Sequence, residues 1–376
     1  MKMKTSEIPS SVVVSIMATM LSSLCVAQVL PDSIVVWGPM LGMTDAQAFV
    51  AIDTDRPVRA LIEINGQTID STDSEFEYHK QIALPAGLRG AFAYRVSLVA
   101  SDKRELVLGP YDARLPGEPG RSLRFVVYGD TRGEDSVHYR IVRQILDSDP
   151  DFVLNTGDLV DNGNKWNEWL EFRRTTGDLL ARRLYIPCLG NHDRRSPTYF
   201  EIFRLPGNEA WFEWNWEHIR LIVLDSTLPA NQQSEQTHWL DSVLSVPESP
   251  GNVTIAMFHH PPIGSGRHLP WAYGLEHWVP LITSSPVDMI FLGHNHRYER
   301  LEYRGKPYIV TGGGGAALDQ SSRDAPESVL SVIDHHFVEV RYDSARLSGI
   351  VLDAEGDTID TWEYRIILPP YQSRGE

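Results

Sequence analysis

The sequence predicts an amino-terminal β-sandwich followed by an α/β domain, and three observations carry that prediction. Residues from about 34 to 114 hold strand-like segments with no long helical periodicity. Leu115-Pro116-Gly117-Glu118-Pro119-Gly120 then punctuates the chain. From Arg121 onward, short apolar runs alternate with helical segments. A chain of 376 residues has room for one large or two ordinary domains. With 42% hydrophobic and 22% charged residues, the composition is globular. The net charge of −16 argues against a double-stranded nucleic acid partner, because phosphate backbones attract Lys and Arg. An acidic chain can still take a phosphate where a bound cation dominates the local field.

The first element reads as a targeting segment. Lys2 and Lys4 precede an apolar run from Val12 through Ala27, and Cys25-Val26-Ala27 before Gln28 supplies the small residues of a cleavage site. Residues 1–27 are expected to be a signal peptide and the protein to be secreted or periplasmic. The run is short and interrupted by serines, so no stable membrane span is expected in the mature chain; a retained anchor is the rival reading. A lipid anchor at Cys25 is disfavoured by Ser22. Cleavage removes Lys2, Lys4 and Glu7, which takes the net charge from −16 to −17, and leaves Cys188 as the sole cysteine. One cysteine forms no internal disulfide, so stability would rest on packing and metal.

Residues 28–118 form the expected sandwich, of immunoglobulin or fibronectin type. Segments 48–52 and 91–99 favour strands, and Asn65-Gly66 is a hairpin turn. The second domain is expected over residues 121–368, with 369–376 as a tail. Its strand candidates are 124–128, 152–154, 185–188, 220–224, 253–258, 289–292 and 308–310; its helix candidates are 136–146, 165–179 and 234–244. Almost every cluster of Asp, Asn, His and Gly follows one of these strands directly. Ligands gather beyond the carboxyl ends of strands in α/β sheets, so five such loops can build one site.

The loops are Gly129-Asp130-Thr131-Arg132, Gly157-Asp158-Leu159-Val160-Asp161, Gly190-Asn191-His192-Asp193, His259-His260-Pro261-Pro262 and Gly293-His294-Asn295-His296. They offer carboxylates, an amide oxygen and imidazoles, with no thiolate, a set that suits Mn, Fe or Zn. Two such ions about 3.5–4 Å apart can clamp an in-line phosphoryl displacement.

In order and spacing these motifs resemble the calcineurin-like metallophosphoesterase superfamily, and within it the purple acid phosphatases. Gly293 through Arg300 is similar to that family's last motif. Trp166-Asn167-Glu168-Trp169, Gln236-Thr237-His238-Trp239-Leu240 and Thr311-Gly312-Gly313-Gly314-Gly315 resemble its other landmarks. His79 through Leu84 and Tyr94-Arg95-Val96 fit its leading domain, so the resemblance covers roughly residues 34–365. It implies a mixed-sheet β-sandwich flanked by helices for the second domain. It also implies Asp130 on a first metal and Asp158 bridging both. Asn191, His259 and His294 would sit on the second metal, and His296 on the first. His259 comes first off its strand, two residues before Pro261, but Pro262 stands in the same relation to His260, which is the other candidate. His192 and His268 would act on the phosphate or leaving oxygen without binding metal. Asp193, read from its place after the Asn-His pair, either orients the ligands or binds metal itself.

Two departures matter. The family has a tyrosine three residues after the bridging aspartate, where this chain has Asp161; a colourless or weakly coloured protein is expected. Many superfamily members have a histidine two residues after the first aspartate, where this chain has Arg132. Asp161 or a water is expected to complete the first metal, with His138 a remote candidate. Arg132 either binds substrate phosphate or pairs with a nearby loop. His335-His336 and the tryptophans at 211, 214 and 216 are read as structural.

The expectation is a hydrolase that cleaves small phosphate esters, monoesters favoured, by attack of a metal-bound hydroxide at a dinuclear site. The alternatives are a phosphodiesterase acting on nucleotide or other diesters, and a non-catalytic cell-surface binding protein that retains the fold.

Overall fold

A 17-residue strand organises the amino-terminal layer of the computed structural model. The structure describes residues 34–366 apart from 45–46, 70–74, 217, 248–251, 321–322, 324 and 344–345; the expected signal peptide and tail lie outside the described residues. The layer's strands are β1 (Val35–Met43), β2 (Ala48–Ile64), β3 (Gln67–Ile69), β4 (Glu77–Ala83), β5 (Gly90–Ala100) and β6 (Glu105–Leu115). The first half of β2 pairs with β1 and β4, its second half with β5 and β3, all antiparallel. The Asn65-Gly66 turn joins β2 to β3 with both residues at positive φ, 50° and 79°, as a tight hairpin requires. Alternation along β5 buries Phe92, Tyr94, Val96 and Leu98 on one face.

The α/β portion contains two further sheets among the described residues. One has the order β19 (Thr358–Arg365), β18 (Arg346–Asp353), β17 (His336–Tyr342), β7 (Leu123–Tyr128), β8 (Phe152–Asn155), β9 (Leu184–Pro187). The other runs β10 (Phe212–Trp216), β11 (Ile219–Val223), β12 (Val253–Met257), β13 (Val287–Leu292), β15 (Lys306–Thr311), β14 (Tyr298–Tyr303), β16 (Ser328–Val332). Strands β7, β8 and β9 are parallel to one another, as are β11, β12, β13 and β15, whereas β10, β14, β16, β17, β18 and β19 pair antiparallel with their neighbours.

Period-two side-chain alternation makes the layers. Phe125 and Val127 of β7 point into a core shared with Ile255, Met257 and Phe291 of the other sheet. Val126 and Tyr128, one residue out of phase, meet Val137, Ile141 and Ile145 of helix α1 (Asp135–Asp147) and Trp169 and Phe172 of α2 (Trp166–Arg182). On the opposite side, Ala256, Phe258, Ile290 and Leu292 meet Leu240 and Leu244 of α4 (Glu235–Leu244) and Ile282 of α5 (Val279–Thr283). The short α3 (Pro197–Ile202) starts on Ser196, whose side chain accepts from the Tyr199 backbone N–H, with proline in its first turn. Each expected strand and helix of this portion is present, with ends within three residues of those expected.

The amino-terminal layer is packed on this framework. Tyr94 Oη donates to the Ala181 carbonyl at 2.7 Å, and Arg204 meets Asp53 at 2.8 Å. Asp149 receives Arg114, Arg121 and Arg183 at 2.7–3.2 Å. Trp214 packs edge-on against Phe152 and Trp216 stacks on Trp214, as structural tryptophans. Among the described residues, no helix is long and apolar enough to cross a membrane.

Candidate metal centre

Parallel strands from both sheets end at one place. Asp130 follows β7, Asp158 follows β8, Asn191 and His192 follow β9, His259 and His260 follow β12, and His294 and His296 follow β13. Three of these residues turn the chain themselves: Asp130, Asp158 and His294 have φ of 54°, 56° and 69°. Non-glycine residues hold such values only when their surroundings impose them. Here the Ala316 N–H donates to Asp130 O at 2.8 Å, and the Thr131 N–H to Asp158 O at 3.1 Å. The neighbouring glycines serve mainly close approach. A Cβ on Gly190 would collide with the Asp158 carboxylate, and one on Gly312 would lie 2.7 Å from Asp130 Oδ2.

His259 and Asp158 define the middle of the site. The His259 ring is fully buried, and its Nδ1 lies 2.8 Å from the Thr156 carbonyl. A carbonyl only accepts, so Nδ1 carries the hydrogen and Nε2 points inward. Nε2 then faces Asn191 Oδ1 at 3.2 Å and Asp158 Oδ1 at 3.5 Å, three acceptor atoms converging on one point. Such a convergence calls for a proton or a cation. Burial works against a charged ring, yet Asp158 outweighs it and lifts His259 to about 9. Asp158 is buried too, and His259 with the His192 backbone N–H, 2.8 Å from Oδ1, holds its carboxyl well below the usual range.

Asp130 is fully buried, and its Oδ1 has no hydrogen-bond partner. The His294 backbone N–H donates to Oδ2 at 2.8 Å. His296 Nε2 lies 3.5 Å from Oδ1, and its Nδ1, 2.6 Å from the Ala317 carbonyl, carries the hydrogen. One ligand atom each from Asp130, Asp158 and His259 lie within 4.8 Å of one another, as do those from His259, His260 and His294. An orphaned buried carboxylate oxygen, inward lone pairs and an oxygen–nitrogen donor set fit divalent cations. Burial keeps the Cys188 thiol protonated, so it adds no soft ligand.

His260 also stands in the cluster, its ring 4.4 Å from that of His294. Its Nδ1 is 2.8 Å from Ser226 Oγ, a hydroxyl that can donate or accept, so its tautomer is open where that of His259 is fixed. Burial, and then the His259 charge, push His260 down to about 3 and His294 lower still. The His268 ring lies 4.2 Å from that of His294, brought there by its backbone N–H on Asn295 Oδ1 at 3.3 Å. His192 Nδ1 meets the Asp161 carbonyl at 2.7 Å, and Nε2 is 4.0 Å from Asp158 Oδ2.

Asp193 accepts from the backbone N–H groups of Asp158, Leu159 and Gly190 at 2.8–2.9 Å, which ties the β8 and β9 loops together. Arg132 is paired: Nε is 3.4 Å from Asp158 Oδ2, Nη1 3.2 Å from Asp161 Oδ1 and Nη2 3.4 Å from His296 Nε2. His138 is not brought to the cluster; it is buried on α1, 3.3 Å from Tyr128 Oη. His336 is buried beside Tyr298.

Sequence reasoning missed Asp225 and Ser226, which follow β11, with Ser226 Oγ on His260; Asn295, part of the last loop motif but given no role there, anchors the His268 loop. Gln236 was the available signal for the first pair: its side chain donates to the Asp225 carbonyl at 3.0 Å and accepts the Asp225 N–H at 2.7 Å. Glu168 and Trp169 similarly secure the loop at 162–163, through the Asn162 N–H at 2.6 Å and the Gly163 carbonyl at 2.8 Å.

Residues 123–298 match the family model described as calcineurin-like phosphoesterase. Purple acid phosphatase 21 of Arabidopsis thaliana is 27% identical over 239 residues, 56% of this chain and 54% of that protein, so the chain spans about half that relative's length. A nucleotide pyrophosphatase/phosphodiesterase of Hordeum vulgare is 22% identical over 337 residues, covering 72% of this chain and 92% of that one. The structure of purple acid phosphatase PPD1 from yellow lupin seeds superimposes with a TM-score of 0.74 at 17% identity, over 86% of this chain and 73% of that chain. That similarity shows the shared fold, with a strand-rich amino-terminal region before the α/β portion. The convergent loops all lie within residues 123–298, the segment that is similar to the calcineurin-like phosphoesterase family.

Proposed function

We propose that the protein is a metal-dependent phosphoesterase that hydrolyses small phosphate esters, with phosphomonoesters preferred. The observation that carries this reading is the convergence of His259 Nε2, Asn191 Oδ1 and Asp158 Oδ1 beside the orphaned Asp130 Oδ1. Asp130, Asp158 and His296 would hold one ion, and Asp158, Asn191, His259 and His294 a second, with Mn, Fe and Zn all compatible with the donors. When bound, such ions lower the pKa of coordinated water and draw the phosphoryl oxygens. The chain's own groups supply the rest. His192, fixed through Nδ1, presents Nε2 to a phosphate oxygen or gives a proton to the leaving oxygen. His268, beside His294, faces the same space. Asp193 keeps Asp158 and Asn191 in register.

Monoester and diester cleavage share this core, and the barley relative's name favours diester cleavage as the second reading. Secretion or periplasmic export is part of the proposal and rests on residues 1–27. The deciding experiment compares a nitrophenyl monoester with the matching diester, with Mn, Fe and Zn, at several pH values. Faster monoester turnover supports the first reading, and faster diester turnover selects the second. No bound metal and no turnover under any condition would replace both with a non-catalytic binding role.

A further inference from the structure

We infer that Arg132 is a resident cation of the first metal position, and that an ion enters there only by displacing its guanidinium. The inference rests on the reading of the centre as a metal site. His296 Nδ1 faces the Ala317 carbonyl, so the ring has one lone pair to offer, on Nε2. Arg132 Nη2 already donates to that atom at 3.4 Å. Nε of the same guanidinium lies 3.4 Å from Asp158 Oδ2, the oxygen turned away from His259. Two of the three side chains that would grip the first ion are therefore engaged by a fixed positive charge.

Asp161 steadies the third corner of the fork at 3.2 Å, and the Arg132 side chain is only 18% exposed. A guanidinium stays charged at any physiological pH and has no lone pair to donate, so it cannot share the position as a ligand. Among the described residues, no arginine hydrogen-bonds His259, Asn191 or His294 of the second position, whose partners are the Thr156 carbonyl and one another. The two positions are thus built to load unequally, the second tightly and the first weakly. Asp130 Oδ1, which Arg132 does not reach, is the atom that keeps the first position able to recruit an ion.

Binding of Mn²⁺ to the metal-stripped full chain, followed by calorimetry with equilibrium dialysis, tests this without any turnover. The unaltered chain should bind one ion tightly and a second about tenfold or more weakly. Arg132→Gln should bring the second ion to within about threefold of the first. His296→Ala should abolish the weak event and spare the tight one, which assigns the weak event to the first position. Two ions bound equally by the unaltered chain, an unchanged ratio in Arg132→Gln, or loss of the tight event in His296→Ala would each overturn the inference while leaving the metal centre standing. A chain that binds no ion tightly would overturn both.

Discussion

A buried carboxylate that accepts three backbone N–H groups does more by position than by charge, and Asp193 is that residue here. Asp193→Asn should lower kcat by about tenfold to a hundredfold while leaving KM within about twofold, the range known for groups that orient ligands. Circular dichroism should show the fold intact; an equal loss in KM would contradict a positioning role. Asp158 differs, because it faces both proposed ion positions. Asp158→Ala should abolish activity and sharply reduce bound metal, and full turnover by that variant would refute the mechanism. His259→Ala should lose more metal than His260→Ala, since only the first ring has its inward nitrogen fixed by a carbonyl.

The helices hold the loops through buried rings. Trp169 is fully buried in α2, packs on Phe172, and donates to the Gly163 carbonyl in the loop after β8. Trp169→Ala should cost about 3–5 kcal/mol in urea unfolding, the usual penalty for emptying a large aromatic site. Trp169→Phe should cost less and still loosen the loop, lowering kcat more than stability alone explains. Helix α1 carries His138, which burial pushes down to about 3, and β17 carries His336, pushed to about 4. Both stay neutral when folded but take up protons near pH 6.5 when unfolded. Stability should therefore be intact above about pH 6.5 and fall by up to about 1.4 kcal/mol per pH unit for each ring as the pH drops toward 4. Chelated protein unfolded in urea between pH 7.5 and 5 should show this slope, and His138→Gln should make it shallower.

At the scale of the molecule, the amino-terminal layer is coupled to the α/β framework by the Asp149 cluster and by Tyr94. Arg114 and Arg183 are largely buried, while Asp149 keeps 41% of its side chain exposed, so solvent softens the loss of this hub. Asp149→Ala should cost about 1–3 kcal/mol, less than a wholly buried pair, because three arginines lose one shared partner. A single unfolding transition in the variant would show that the layer and framework still unfold together. Two separated transitions would show that this cluster supplies the coupling.

Legibility in the sequence followed the range of the interaction. Strands such as β7, β8 and β12 were readable because their apolar runs are local, and helices α1, α2 and α4 because their buried residues recur at helical spacing. The order of loops after those strands gathered the Asp, Asn and His residues, and the family resemblance implied Asp130, Asp158, Asn191, His259, His294 and His296 among them as metal candidates. The antiparallel strands β10, β14, β16, β18 and β19 are not legible in the sequence, since such strands are fixed by their partners more than by their own residues. Positive φ at Asp130, Asp158 and His294 was likewise invisible, because it is imposed by contacts with distant loops. The sequence by itself determined which Asp, Asn and His side chains sit after which strand, through periodicity and spacing along one chain. Only the tertiary structure decided which nitrogen of His259 faces inward and where the guanidinium of Arg132 lies, because both depend on groups brought together across two sheets.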